Sequence, residues 1–279
     1  MFRFKQRLDG RNKSGIDSVL YRISTHEGAC METIVVMLAM LVCVVAAALT
    51  VPAGFGLATM MTPVFLVWFD PHQAIAGVAI VHGVHNLIKS RMLREHIDRD
   101  ALKRFGWALL IGALIGALLQ SIIPSDPLLL VVGLALIVLP LLKVSESWSS
   151  IRLPEAEDRL GGFGSGFLGG LTGHQGALRA MFLKERLPDK SAYAATAAVL
   201  ALVVDLTRIP IYLVNDASVL STNTWLMVGF VLSALVGAQL GKRWLERWKS
   251  DDIQRGIVIG LVITGILYVR EALEALSLT

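Results

Sequence analysis

Long apolar runs separated by short polar connections make up most of the chain, and no run alternates apolar with polar residues at a period of two. Nine such segments fall at about residues 31–50, 54–68, 72–89, 104–123, 127–142, 161–183, 192–214, 222–241 and 253–269. A helix needs about 17–25 residues to cross the ~30 Å hydrocarbon core. The pattern predicts an all-α polytopic membrane protein of about seven to nine membrane segments. The missing two-residue alternation excludes an outer-membrane barrel. One segment differs from the others: residues 161–176 read GGFGSGFLGGLTGHQG, with eight glycines in sixteen positions. Each interior glycine costs a helix about 1 kcal/mol relative to alanine, so an ordinary helix is not expected there. Irregular backbone at membrane depth survives only where protein buries it or water wets it. A glycine-broken segment carrying His174 and Gln175 and leading to Arg179 therefore reads as a transporter's binding site. Gly162, Gly166 and Gly170, spaced four apart, read as a seam for close helix packing.

Composition agrees with this reading. Hydrophobic residues make up 54% and charged residues 17% of the 279, with a mean hydropathy of +0.63, whereas a soluble domain is about 25% charged. The net charge of +4 is no sign of nucleic-acid binding, because most Lys and Arg sit in a few short loops. Residues 89–104 hold Lys89, Arg91, Arg94, Arg99, Lys103 and Arg104; further clusters fall at 184–190 and 242–249. The connections near Asp70, near Ser125 and at 215–224 have neither Lys nor Arg. By the positive-inside rule the first set faces the cytoplasm and the second lies outside. Trp68, Trp107, Trp225 and Trp244 fall at segment ends, where interfacial tryptophans belong. Cys30 and Cys43 are too few for a disulfide framework. Residues 1–30 are a polar, basic leader, expected to be disordered or to precede a start at Met31, and no function is placed there.

Two repeats follow, at 31–142 and 161–272, joined by a loop at 143–160. VPAGFGLATMM followed by DPHQAIAGVAIVHGVHNLIKSR parallels LTGHQGALRAM followed by DKSAYAATAAVLALVVDLTR, and Trp107 and Trp225 stand 118 residues apart. Corresponding loops carry opposite charge bias, the mark of inverted-topology repeats. Treating 54–68 and 161–183 as re-entrant rather than spanning reconciles the loop charges. It gives seven crossings, with the N-terminus inside and the C-terminus outside; a long kinked first span plus seven others fits almost as well.

Ionisable side chains in spanning helices are expensive and usually face a cavity. His82, His85, Asn86 and Lys89 share one helical face, with Lys89 also long enough to snorkel to the cytoplasmic surface. Asp205 and Arg208 can pair at i, i+3, with Tyr212 one turn on. The set suits a small oxyanion. Arg179 offers a planar fork of donors, and the helix starting near Gly176 points free N–H groups and its positive dipole end at the break. Gly173 lets the backbone approach a ligand closely. Gly54 and Gly56, with Thr59 and Thr62, supply a matching half from the first repeat. His82, His85 and His174 could bind protons near neutral pH. Expected site residues are thus Arg179, Gln175, His174, Gly176, Gly173, Gly54, Gly56, Thr59, His82, His85 and Asn86, with Asp205, Arg208 and Lys89 for coupling or gating.

On these stretches, together with VDLTRIPIYL, the chain resembles the sulfite exporter TauE/SafE family of membrane permeases across about residues 31–272. The resemblance implies a permease of two related halves that moves small anions, often sulfur oxyanions or organosulfonates. The first-half motif PAGFG departs from the denser glycine cluster typical of that family. The expectation is a secondary transporter in the bacterial inner membrane, without a cofactor, working by alternating access on a small anion such as sulfite or an organosulfonate. Its partners would be the anion, protons and the lipid bilayer; an oligomer is allowed by the sequence and not read from it. No P-loop is present, so ATP-driven transport is unsupported. Two other classes fit less well. A divalent-metal permease would use His82, His85 and His174 as ligands, but Arg179 opposes a cation. An intramembrane enzyme lacks support, since neither HExxH nor G-x-S-x-G occurs.

Overall fold

A computed structural model describes residues 15–53, 56–144, 158–183, 186–215, 224–244 and 251–277. It contains ten α-helices among the described residues: α1 Gly15–Ala53, α2 Leu57–Phe65, α3 Pro71–Met92, α4 Arg99–Ile122, α5 Ser125–Val144, α6 Asp158–Thr172, α7 Gly176–Leu183, α8 Lys190–Asn215, α9 Thr224–Trp244 and α10 Asp251–Ser277. A short 3₁₀ turn, Arg94–His96, precedes α4. The chain divides into two compact units, residues 1–40 and 41–279. The first contains the opening stretch of α1, and all packing described below lies within the second. The expected polar leader ahead of residue 15, the loop at 145–157, and Gly54 lie outside the described residues.

Local sequence explains the helix starts. Asp70 caps α3 by accepting a 3.0 Å hydrogen bond from the Gln73 amide, with Pro71 in the first helical position. Asp98 caps α4 in the same way through the Ala101 amide at 2.7 Å. Among the described residues, four helices are long and apolar enough to cross a membrane: Glu32–Val51, Arg99–Ile122, Lys190–Asn215 and Thr224–Arg243. The 22-residue α3 has the length to do so but carries the polar stripe His82, His85, Asn86 and Lys89 along its buried side. On α4, Leu110, Ile111, Leu114, Ile115, Leu118 and Ile122 are exposed while Phe105, Leu109, Ala113 and Ala117 are buried. An uncovered apolar face on a helix of this length is what lipid solvates.

The glycine-rich stretch is helical for most of its length, contrary to the sequence expectation. The helix runs through Thr172, and the break is confined to Gly173–Gln175. Contact with α4 supplies the reason. Gly162, Gly166 and Gly170 lie against the α4 backbone at Phe105, Leu109 and Ala113, and Gly112 and Gly116 of α4 reciprocate against Phe163 and Phe167 of α6. Backbone-to-backbone packing of this kind requires residues without a side chain. It offsets the poor helix propensity of glycine.

After the break the chain turns back. Gly161 faces the Phe182 ring, Gly164 faces Leu178, and Gly169 faces Gln175, so α6 and α7 form an antiparallel hairpin. In the first half, α1 and α3 run side by side in the same direction: Ala47 meets His85 and Thr50 meets Lys89. α9 runs parallel to them, with Gly237 against Val44 and Ala47 and Gly241 against Ala48 and Val51. This corrects the expected path. A re-entrant α2 between two opposed spans would make α1 and α3 antiparallel. Instead α1 points the same way as α3.

The α4–α6 seam gives a paired test. Gly166→Ala places a methyl group on the Leu109 carbonyl, and overpacking of this kind costs about 1–3 kcal/mol. Gly106→Ala meets nothing within 4 Å and replaces a helix-interior glycine, worth about 1 kcal/mol of stabilisation. The melting temperature of the purified protein is expected to fall for Gly166→Ala and to hold or rise for Gly106→Ala.

Candidate functional site

Buried polar side chains collect where α3, α7 and α8 meet the tip of the α6–α7 hairpin. Their order starts with Asp205 on α8, which is fully buried. Its Oδ1 accepts from Arg208 Nε at 3.0 Å and Nη2 at 2.8 Å, closing the expected i, i+3 pair. Its Oδ2 lies 2.7 Å from His82 Nδ1, which ties α8 to α3. Arg208 then donates from Nη1 to the Gly169 carbonyl at 3.0 Å, and the Tyr212 hydroxyl donates to the Gly170 carbonyl.

Those last two bonds terminate α6. A helix ends with carbonyls that have no partner within the helix, and here two donors from α8 serve carbonyls in its final turn. Arg208 also sets a positive charge at the negative end of the α6 dipole. Gly173 follows at φ 85, a left-handed conformation, and a Cβ there would come within 2.8 Å of Arg208 Nη1. Glycine is required on both counts. Gly56 plays the corresponding part in the first half, at φ 113 immediately before α2.

Beyond the break, the Arg179 amide donates to the Gln175 carbonyl at 3.1 Å and starts α7. The Ser165 hydroxyl donates to that same carbonyl at 3.2 Å and pins the tip to α6. Arg179 is almost wholly buried; one Nη1 bond reaches Gln175 Oε1 at 3.1 Å. Arg179 Nε, Gln175 Nε2 and both ring nitrogens of His174 are buried with no hydrogen-bond partner. Lys89 lies within electrostatic reach of Arg179, and His174 within reach of Arg208 and His82. Among the described residues, the cluster thus sets two arginines, Arg179 and Arg208, against the single carboxylate of Asp205.

Not every expected residue joins this cluster in the expected way. The polar stripe on α3 divides. His82 turns to Asp205, whereas His85 Nε2 donates to the Ala47 carbonyl at 3.2 Å and Lys89 Nζ to the Thr50 carbonyl at 3.2 Å. Lys89 is 1% exposed, so it does not snorkel. The α1 carbonyls near the helix end hold it inside. Asn86 donates to the His82 carbonyl at 2.9 Å, and the Thr62 hydroxyl donates to Ala58 at 2.9 Å within its own helix. Thr59 lies in the first turn of α2 and is half-buried. Gly176 opens α7. Of the histidines assigned to a metal reading, His82 and His85 turn to other partners, and no group of three His, Cys, Asp or Glu suited to a metal occurs among the described residues.

Two residues near the site escaped the sequence reading. Tyr193 on α8 is buried within electrostatic reach of Arg179, with its hydroxyl unpartnered. Ser165 lies inside the glycine run, where only its role against Gln175 distinguishes it. A third, Asp158, sits at the far end of α6 and is 2% exposed. Its carboxylate meets Arg104 Nε at 3.2 Å and Arg186 Nε at 2.8 Å. A carboxylate opening an apolar run beside basic loops was the available signal.

The Asp205 knot is open to test. Removing one partner of a buried ion pair costs about 3–5 kcal/mol, while replacing the pair with apolar residues is often neutral. Asp205→Asn is expected to lower the melting temperature sharply. Asp205→Leu combined with Arg208→Met is expected to lower it less than Asp205→Asn alone.

With this geometry in place, the comparisons with known proteins are direct. No curated protein and no solved structure matches the chain. The family described as Sulfite exporter TauE/SafE matches residues 39–268, which takes in every helix of the cluster. The chain is therefore a multi-pass membrane protein of the transporter class, and it belongs to the sulfite exporter TauE/SafE family.

Proposed function

We propose that this protein is a secondary transporter that carries a small oxyanion, sulfite or an organosulfonate, through the bundle by alternating access. The observation that carries the reading is the imbalance at the hairpin tip. Buried N–H donors of Arg179 and Gln175 have no acceptor, in a cluster where the described cations outnumber the one carboxylate. Leaving a buried donor unmade costs about 1–3 kcal/mol, and more where it is charged. An acceptor-rich anion is the ligand that relieves it.

Helix ends reinforce the choice. Arg208 and Tyr212 occupy the C-terminal end of α6, so the negative pole of the hairpin tip is already answered. The opening turn of α7 keeps its positive pole and the free amides of its first residues. Arg179, one turn in, adds a fork that matches two oxygens of one anion. His174, Gln175, Gly173 and Gly176 form the tip, and His82 with Asp205 forms the facing wall.

The packing supports two halves related by an inverted repeat. α6 of the second half lies along α4 of the first, and α1 of the first lies along α9 of the second. Across the middle, equivalent helices meet in opposite directions: α3 against α8, and α5 against α10, with Gly133 facing Gly265 and Val269. A two-fold axis in the membrane plane produces this set of contacts. The basic connection between α3 and α4 then faces the cytoplasm, in the bacterial inner membrane.

A thermal-stability screen tests the site. Sulfite, thiosulfate or sulfoacetate is expected to raise the melting temperature of the wild type, and nickel is expected to leave it unchanged. Arg179→Ala should abolish the shift. Arg179→Lys, which keeps charge but loses the fork, should weaken apparent affinity by about tenfold, or 1.4 kcal/mol. An undiminished anion response in Arg179→Ala would remove the guanidinium from the site.

A further inference from the structure

A cavity of about 240 Å³ lies apart from the hairpin tip, lined by Asp70, His72, Gln120, Ser121, Ser125, Asn215 and Tyr212, with Ala76. Its polar residues come from the start of α3, the α4–α5 turn and the end of α8. These are the ends of the bundle whose connections contain no Lys or Arg, opposite to the basic loop between α3 and α4. Gln120 Nε2 donates to His72 Nδ1 at 3.1 Å and fixes two of the lining groups to each other.

Tyr212 connects this cavity to the cluster. Its ring lies 6.0 Å from the Arg208 guanidinium, and its hydroxyl is bonded to the end of α6. The residue is 3% exposed, whereas Asn215, less than one turn further along α8, is exposed. One side chain thus touches the cavity on one side and the Asp205–Arg208 pair on the other. We propose that this cavity is the outer antechamber of the substrate path, with Tyr212 as the wall between it and the buried site. The inference rests on the transport reading above.

The lining chemistry says what the antechamber does. It offers a small oxyanion in transit the Ser125 hydroxyl and the second amide N–H of Gln120 and of Asn215; the first N–H of each is spent on His72 and on the Ile211 carbonyl, and the Ser121 hydroxyl on the Leu118 carbonyl. Among the described residues no Lys or Arg lines it, and its one formal charge is the Asp70 carboxylate, already capping α3. An anion is therefore passed through this space and not retained in it. Retention belongs to the cationic cluster.

Cysteine labelling tests the assignment. In a Cys30→Ser, Cys43→Ala background, Ser121→Cys and, separately, Ser125→Cys are reconstituted into phospholipid vesicles. Each is treated with a membrane-impermeant methanethiosulfonate reagent. Thr224→Cys, exposed at the same end of the bundle but outside the cavity, serves as the control. After labelling, the Ser121→Cys and Ser125→Cys proteins are each expected to lose most of their radiolabelled sulfite counterflow and to regain it on reduction; the control is expected to keep its rate. Undiminished counterflow with labelling of both cavity positions verified by mass would overturn the antechamber and leave the anion site standing. Absence of counterflow in the unlabelled background, together with no Arg179-dependent thermal shift, would overturn both.

Discussion

Arg208 holds the centre of this molecule together. Its guanidinium joins Asp205 on its own helix to the closing turn of α6, and through Asp205 it reaches His82 on α3. An arginine inside an apolar bundle is tolerable only when its donors are used. Here that requirement fixes three helices against one another and ends α6 at a defined residue. With Tyr212 on the Gly170 carbonyl and the left-handed Gly173 that follows, this anchor specifies where a helix so rich in glycine stops.

The same bonds create the asymmetry on which the proposed binding depends. Two half-helices meeting at a break bring one negative and one positive pole to the same place. If both were open they would partly cancel for an incoming ligand. Because α8 caps the α6 end, only the α7 end remains, and Arg179 stands beside it with Nε unpartnered. The proposed anion site is therefore what is left over after a structural problem has been solved.

Much of this could be read from the residues themselves. The break at Gly173–Gln175, the Asp205–Arg208 pair and the buried His82 follow from glycine propensity, i, i+3 spacing and the expense of polar groups in an apolar segment. What could not be read depends on partners distant in sequence. The spacing of Gly162, Gly166 and Gly170 announces a packing seam, but not that α4 is the helix seated on it. Lys89 looks free to snorkel until the Thr50 carbonyl is found in front of it. The direction of α1 was misjudged because loop charge constrains parity only, whereas the contacts of Ala47 and Thr50 with α3 settle which way the helix runs. Tyr193 and Ser165 carry no local signature at all, since their neighbours arrive from other helices.

The packing of α6 on α4 and of α1 on α9 also bears on the order of assembly. When α6 emerges during synthesis, its seat on α4 has already been made, so a glycine-rich helix of low apolarity can dock at once. α1 gains α3 as a neighbour early, through Ala47 and Thr50, but α9, which carries Gly237 and Gly241, is translated almost at the end. Until then the side of α1 that α9 covers must face lipid. The mean hydropathy of α1, 3.0 against 1.6 for α9, suits that wait: of the four apolar spans, it is the greasiest.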